Sequence, residues 1–188
     1  MTSRDAILES ALTLFDSRGY DAVGVQEIVE TAGVTKPTLY HFFGSKNGLL
    51  ETLIDENFVG LSQMLGEDAI YHGDLTLTLQ KIVKGYFKFA LENRRYYRFQ
   101  LSLWFSPPES EAFQAVSAIN EQQHAILEKV FIDAVANHGN MRGRHKVYAA
   151  TFLGMINTYI GLALNGYVEL SDQLVYQIVH QFMHGIFS

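Results

Sequence analysis

The stretch 33–50, "GVTKPTLYHFFGSKNGLL", sets a glycine turn, a run of about seven residues and a second turn in front of a new helix. Thr35 is a good N-cap, and Pro37 sits in the first turn, where its missing N–H costs nothing, so the spacing predicts a short helix over 36–42. That helix shows Lys36, Thr38, Tyr40 and His41 where a core helix would show aliphatic residues. Leu39 and Phe42 are expected to turn the other way, joining Ile28 and Val34 to hold three helices together.

Upstream, Ile7, Leu8, Ala11, Leu12 and Phe15 follow a 3.6-residue stripe that stops at Gly19. Ile28 and Val29 anchor a second short helix after Gly24, and Gly33 supplies the turn into the third. Two short helices joined by a Gly-containing turn are helix-turn-helix geometry, in which the second helix enters the DNA major groove. Residues 24–43 fit it. Gly24, Gln26, Thr35, Lys36, Pro37, Thr38, Tyr40 and His41 are the expected contact positions, with Tyr40 facing either the groove or helix one. Lys46, opening helix four behind the cap Ser45, is expected to meet a phosphate. Between Glu30 and Glu51 there is no acidic residue, which leaves a local patch that a phosphate backbone can approach although the chain carries a net charge of −6.

These residues carry a resemblance. The segment 6–54, "AILESALTLFDSRGYDAVGVQEIVETAGVTKPTLYHFFGSKNGLLETLI", resembles the DNA-binding domain of TetR-family transcriptional regulators. Its most specific elements are the "LF…GY" ending of helix one, "I…AGV…TLYHFF", and Ser45-Lys46. The resemblance implies a homodimer whose two N-terminal domains bind a palindromic operator, and a helical C-terminal domain for an effector and for dimerisation. Two positions depart from the pattern. Val23-Gly24 stands where the family often has Thr or Ser, and Asn47-Gly48 where it often has Glu, so a side-chain cap on helix two and a complete capping box on helix four are not expected.

The remainder also reads as helix, over roughly 74–93, 95–105, 109–137, 144–168 and 172–187, with breaks at "YHGD", "SPPE", "HGNMRG" and "ELS". The fold expected is all-α with about nine helices, divided into a helix-turn-helix domain, 1–46, and an effector-binding and dimerisation domain, 47–188. Eight of the 24 aromatic residues fall between Tyr86 and Phe105, a density that suits either a ring-walled cavity or an ordinary core. Tyr86, Phe89, Tyr97, Phe99, Trp104, Phe113, Met155 and Tyr159 are the candidate lining of a site for a small, largely apolar effector. Arg94, Arg95 and Arg98 would hold an acidic one instead, or simply form an exposed helix start.

Residues 147–168 carry no charge and are long enough to span a bilayer. Asn157, Thr158, Asn165 and three tyrosines speak against that, so no membrane partner is expected. Small residues at Ala150, Gly154, Thr158 and Gly161, with Val175, Val179, Phe182 and Ile186 on the following helix, form the expected two-fold dimer interface. His180 and His184 stand i, i+4, but Gln181 replaces the Glu of a zinc-hydrolase motif and no third ligand is evident. No catalytic constellation appears, and neither a metal nor a cofactor is expected. There is no Cys, and the first residues, "MTSRDAILES", are charged where an export signal would be apolar, so the cytoplasm is the expected compartment. The function read from the sequence is an operator-binding repressor released by its effector. The alternative is a helical small-molecule-binding protein or enzyme whose DNA reader no longer works.

Overall fold

The computed structural model describes residues 2–185. Among them are nine α-helices, one 3-10 turn and no strand, as the periodicity requires. The helices are α1 (Ser3–Arg18), α2 (Val25–Ala32), α3 (Lys36–Phe43), α4 (Lys46–Asp68), α5 (Leu75–Glu92), α6 (Arg94–Trp104), α7 (Glu111–Ala134), α8 (His145–Leu164) and α9 (Asp172–His184). The 3-10 turn, Gly139–Met141, lies inside a segment expected to be a plain break.

The chain packs as two compact units. The first holds residues 2–58 and 93–119, the second 59–92 and 120–185. The boundaries fall inside α4 and α7, so each of these helices supplies residues to both units. Asn93, with φ −124° and ψ 46°, breaks the chain between α5 and α6. This break explains why the aromatic stretch 86–105 does not line one cavity: Tyr86, Phe87 and Phe89 fall in the second unit, and Tyr96, Tyr97, Phe99, Trp104 and Phe105 in the first.

In the first unit α1 opens on a complete capping box, in which the Thr2 hydroxyl accepts from the Asp5 N–H and the Asp5 carboxylate accepts from the Thr2 N–H. Its inner stripe, Ile7, Ala11 and Phe15, is buried, and α2, α3 and α6 pack against it. Phe15 stacks on Phe99 at 5.5 Å and meets the Tyr20 ring edge-on at 5.3 Å. In the second unit α5 packs on α8 and α9. A Cβ at Gly85 would lie 1.8 Å from the Met64 sulfur, so the Met64 side chain of α4 sits directly over the bare backbone of α5 at this position.

The α8 helix is long and apolar enough to cross a bilayer, but it serves here as a packing element: Phe152, Ile156 and Ile160 are among its seven buried residues. Its outer side carries the small residues Ala150, Gly154 and Thr158, all exposed.

Three buried tyrosines tie the units internally. Tyr86 donates to Gln123 Oε1 at 2.9 Å, Tyr96 to the Ile54 carbonyl at 3.2 Å, and Tyr20 to the Glu111 carboxylate at 2.5 Å. Burial raises the pKa of all three phenols above the ordinary tyrosine value, and at Tyr20 the bond to Glu111 adds to it. Their contribution to stability is therefore complete below about pH 10. Above it the unfolded chain releases protons that the folded chain retains, so stability is lost as pH rises. Urea midpoints measured from pH 8 to 11 should fall steeply only beyond pH 10, and Tyr86→Phe should blunt the fall.

Candidate nucleic-acid interface

The α2–α3 turn is built by two residues. Gly33 adopts φ +66°, ψ 32°, a left-handed conformation natural to glycine, and its N–H and that of Val34 return to the last carbonyls of α2; the Val34 N–H reaches the Val29 carbonyl at 2.9 Å. Thr35 then stands extended at the N-cap of α3. Its hydroxyl does not bond to the helix backbone as an N-cap usually does; it lies 2.9 Å from the Thr38 hydroxyl, and both remain on the surface side. Gly24 caps α2 without a side-chain bond, as its identity dictates.

The direction of α3 follows from what it buries. Leu39 and Phe43 are the inward residues, and Phe42 points outward, which corrects the expectation that Phe42 completes the three-helix core. Phe43 is 8% exposed and Phe42 43%. One residue further along a helix is a rotation of about 100°, enough to exchange core for surface. Tyr40 is 47% exposed, and Lys36, Pro37 and His41 are exposed with it. Gln26 is also exposed and bonds to Glu30 on its own helix. The outward face of α3 is thus Lys36, Pro37, Thr38, Tyr40, His41 and Phe42.

Lys46 has a different task from the phosphate contact expected of it. Its ammonium donates to the carbonyls of Tyr20 and Val23, each at 3.0 Å, and lies 4.0 Å from the centre of the Tyr20 ring. These carbonyls belong to the α1–α2 loop, where no helix ladder satisfies them, and a half-buried cation is their natural donor. The same corner explains Gly48. A Cβ there would lie 2.1 Å from the Phe43 carbonyl oxygen, so a Glu at this position does not fit. The Ser45 hydroxyl still accepts from the Gly48 N–H at 2.9 Å, which preserves half of the capping box.

The expected effector residues separate. Met155 and Tyr159 line a cleft of about 580 Å³ in the second unit, together with Phe131, His138, Met141, Val147, Tyr148, Thr151, Gln181, Phe182 and Met183. Tyr86 is buried in the core of that unit, Phe89 is half-buried, and neither lines the cleft. Tyr97 and Phe99 belong to the core of the first unit, where Trp104 stacks on Phe113 at 5.3 Å. The α9 wall was not expected; its Phe182 lies 5.0 Å from Phe152 and 5.9 Å from Phe131 by ring centres. The cleft is mainly apolar, with imidazole, phenol and amide groups among its lining.

Of the expected dimer face, Ala150, Gly154 and Thr158 are exposed and Gly161 half-buried. Val175 and Val179 are 3% and 0% exposed, so they cannot meet a second copy. An amphipathic stripe faces its own core first. Phe182 is half-buried in the cleft wall, and Ile186 lies outside the described residues. The His180 and His184 rings stand 4.7 Å apart, and no group of three or more His, Cys, Asp or Glu ligands occurs among the described residues.

Residues 7–53 match the family model for bacterial regulatory proteins, tetR family. Over 65 residues the chain is 35% identical to a probable HTH-type transcriptional regulator, YttP, of Bacillus subtilis (strain 168), covering 35% of this chain and 31% of that one. It spans about a quarter to a third of the length of YttP and of two similar Escherichia coli repressors, ComR and BdcR. By fold it is similar to a putative fatty acid metabolism regulator of Clostridium perfringens (TM-score 0.83, 21% identity, 96% of this chain and 98% of that one). It is similar also to FadR of Bacillus subtilis in complex with stearoyl-CoA (TM-score 0.79, 19% identity, 97% and 98%).

If Lys46 holds the α1–α2 loop, Lys46→Met should lower unfolding free energy by about 1 to 3 kcal/mol, since two carbonyls lose a charged donor. Chemical denaturation checks this; a surface lysine would leave the midpoint unchanged.

Proposed function

We propose that this chain, whose residues 7–53 match the family model for bacterial regulatory proteins of the tetR family, is a homodimeric repressor that leaves a palindromic operator when a small, largely apolar effector binds. The observation that carries this reading is the division of α3, which commits Leu39 and Phe43 to the interior and offers Thr38, Tyr40 and His41 outward. A helix of eight residues reads few base pairs, so useful specificity needs two copies on half-sites about 34 Å apart. The reader is residues 1–46, and 47–188 serves the effector and the dimer.

The exposed small residues Ala150, Gly154 and Thr158 support α8 as the meeting face of the two copies. A side chain built at Gly154 meets nothing within 4 Å in the single chain. Gly154→Glu should therefore leave each copy folded yet shift the protein from dimer to monomer in sedimentation velocity.

The cleft lined by Met155, Tyr159 and Phe182 is the effector site of this reading. Its volume and apolar walls suit a hydrocarbon-rich molecule, and similarity to a regulator crystallised with stearoyl-CoA supports a fatty acyl class. Because α4 supplies residues to both units, it is the element that passes effector binding to the reader, working in the cytoplasm on chromosomal DNA. By linkage, operator DNA weakens effector binding by the same factor as effector weakens operator binding. Titration of stearoyl-CoA into protein with and without operator should show that factor, and equal affinities would refute the coupling.

Gel shift on the DNA flanking the protein's own gene tests the central reading. Replacing Tyr40 together with Lys36 by Ala should abolish the specific shift, and an unchanged shift removes α3 from the interface.

A further inference from the structure

The N-terminal segment is unusual electrostatically for a DNA reader. Residues 2–58 hold four Lys or Arg against nine Asp or Glu, a formal charge of −5. Three of the four cations are occupied inside the first unit: Arg4 pairs with Glu56, Arg18 with Glu27, and Lys46 bonds to the Tyr20 and Val23 carbonyls. Among the described residues of this segment, Lys36 is the cation with no hydrogen bond or ion pair. That segment then offers one unpaired ammonium per copy to phosphates, where strongly electrostatic readers neutralise six to ten.

The outward arc of α3 is correspondingly uncharged. Around the helix at 100° per residue, Tyr40 and Phe42 flank an arc that holds Pro37, Thr38 and His41 between them, opposite Leu39 and Phe43. Phe42, 43% exposed, packs edge-on against His41 at 5.2 Å, which leaves much of its ring open to whatever covers the helix. In the major groove the thymine 5-methyl is the apolar group on offer; every other base edge presents donors and acceptors that a phenyl ring would leave unpaired.

We infer that α3 reads its duplex chiefly through apolar contact with thymine methyl groups, with Phe42 as the specificity-determining residue, and that phosphate attraction contributes little. This rests on the DNA-binding reading above and goes further, because it names the base feature recognised and the size of the ionic part.

The test uses the full chain and a duplex that it enriches from a randomised double-stranded library, at one fixed pH. Two copies with one free ammonium each give a slope of log K against log salt of about −2, a loss of about tenfold between 50 and 200 mM. Replacing the enriched thymine of both half-sites by deoxyuridine removes only methyl groups and should weaken binding by about fifteenfold, at roughly fourfold per buried methyl. Phe42→Ala should erase the thymine-uracil difference, and Phe42→Leu, which keeps an apolar tip, should retain it. Lys36→Ala should flatten the salt slope and leave that difference intact. A slope steeper than −4, or a duplex that tolerates uracil without loss, overturns the inference while DNA binding stands. Failure to enrich any duplex overturns both.

Discussion

Everything that α3 can present depends on how an eight-residue helix is kept in place. Alone in water a helix of this length does not form, because nucleation costs more than so few hydrogen bonds return. α3 exists because Leu39 and Phe43 are taken into the interior with Ile28 and Val29, and because Gly33 and Gly44 end the flanking turns with positive φ. The burial of two side chains therefore fixes where every other side chain of α3 points. The outward residues need no partner within the chain to be oriented, which is the condition for presenting them to another molecule.

The first unit secures this arrangement from behind. α1 lies between the reader and α6, with Phe15 stacked on Phe99 on one side and the α1–α2 loop held by Lys46 on the other. Arg95 reaches Glu9, and Tyr20 reaches Glu111, so residues far along the chain are bonded to the N-terminal helices. The surface ion pair contributes little by itself. The aromatic stacking and the buried phenol matter more, because they exclude water while the Tyr20 hydroxyl and carbonyl both keep hydrogen-bond partners.

Much of this was legible in the sequence, for reasons that particular residues make plain. Gly19, Gly33 and Gly44 punctuate the helices, and Thr35 with Pro37 marks the start of α3, because backbone chemistry acts locally. Phase was less secure. Phe42 and Phe43 are adjacent and identical, and which one enters the core depends on where α1 and α2 lie, information that no window of eight residues holds. Lys46 illustrates a second limit: a long cation near a helix start reads as a phosphate ligand until the loop carbonyls 23 and 26 residues earlier are seen beneath it. The aromatic stretch 86–105 shows a third, since a single unremarkable Asn93 assigns its halves to different cores. Val175 and Val179 read as a surface for another copy because periodicity says that a stripe is buried but not against what.

The contact between position 48 and the Phe43 carbonyl has a bearing on engineering. In exchanging helix-turn-helix segments among chains that share this fold, the obvious cut lies just past residue 46, with the recipient's fourth helix retained. Here that junction is sterically keyed: the turn 43–48 closes only around a residue without a side chain at its last position. A helix-turn-helix segment transplanted from this chain must bring its Asn47-Gly48 with it, and an incoming one must supply its own matching turn, so the practical module extends two residues beyond position 46.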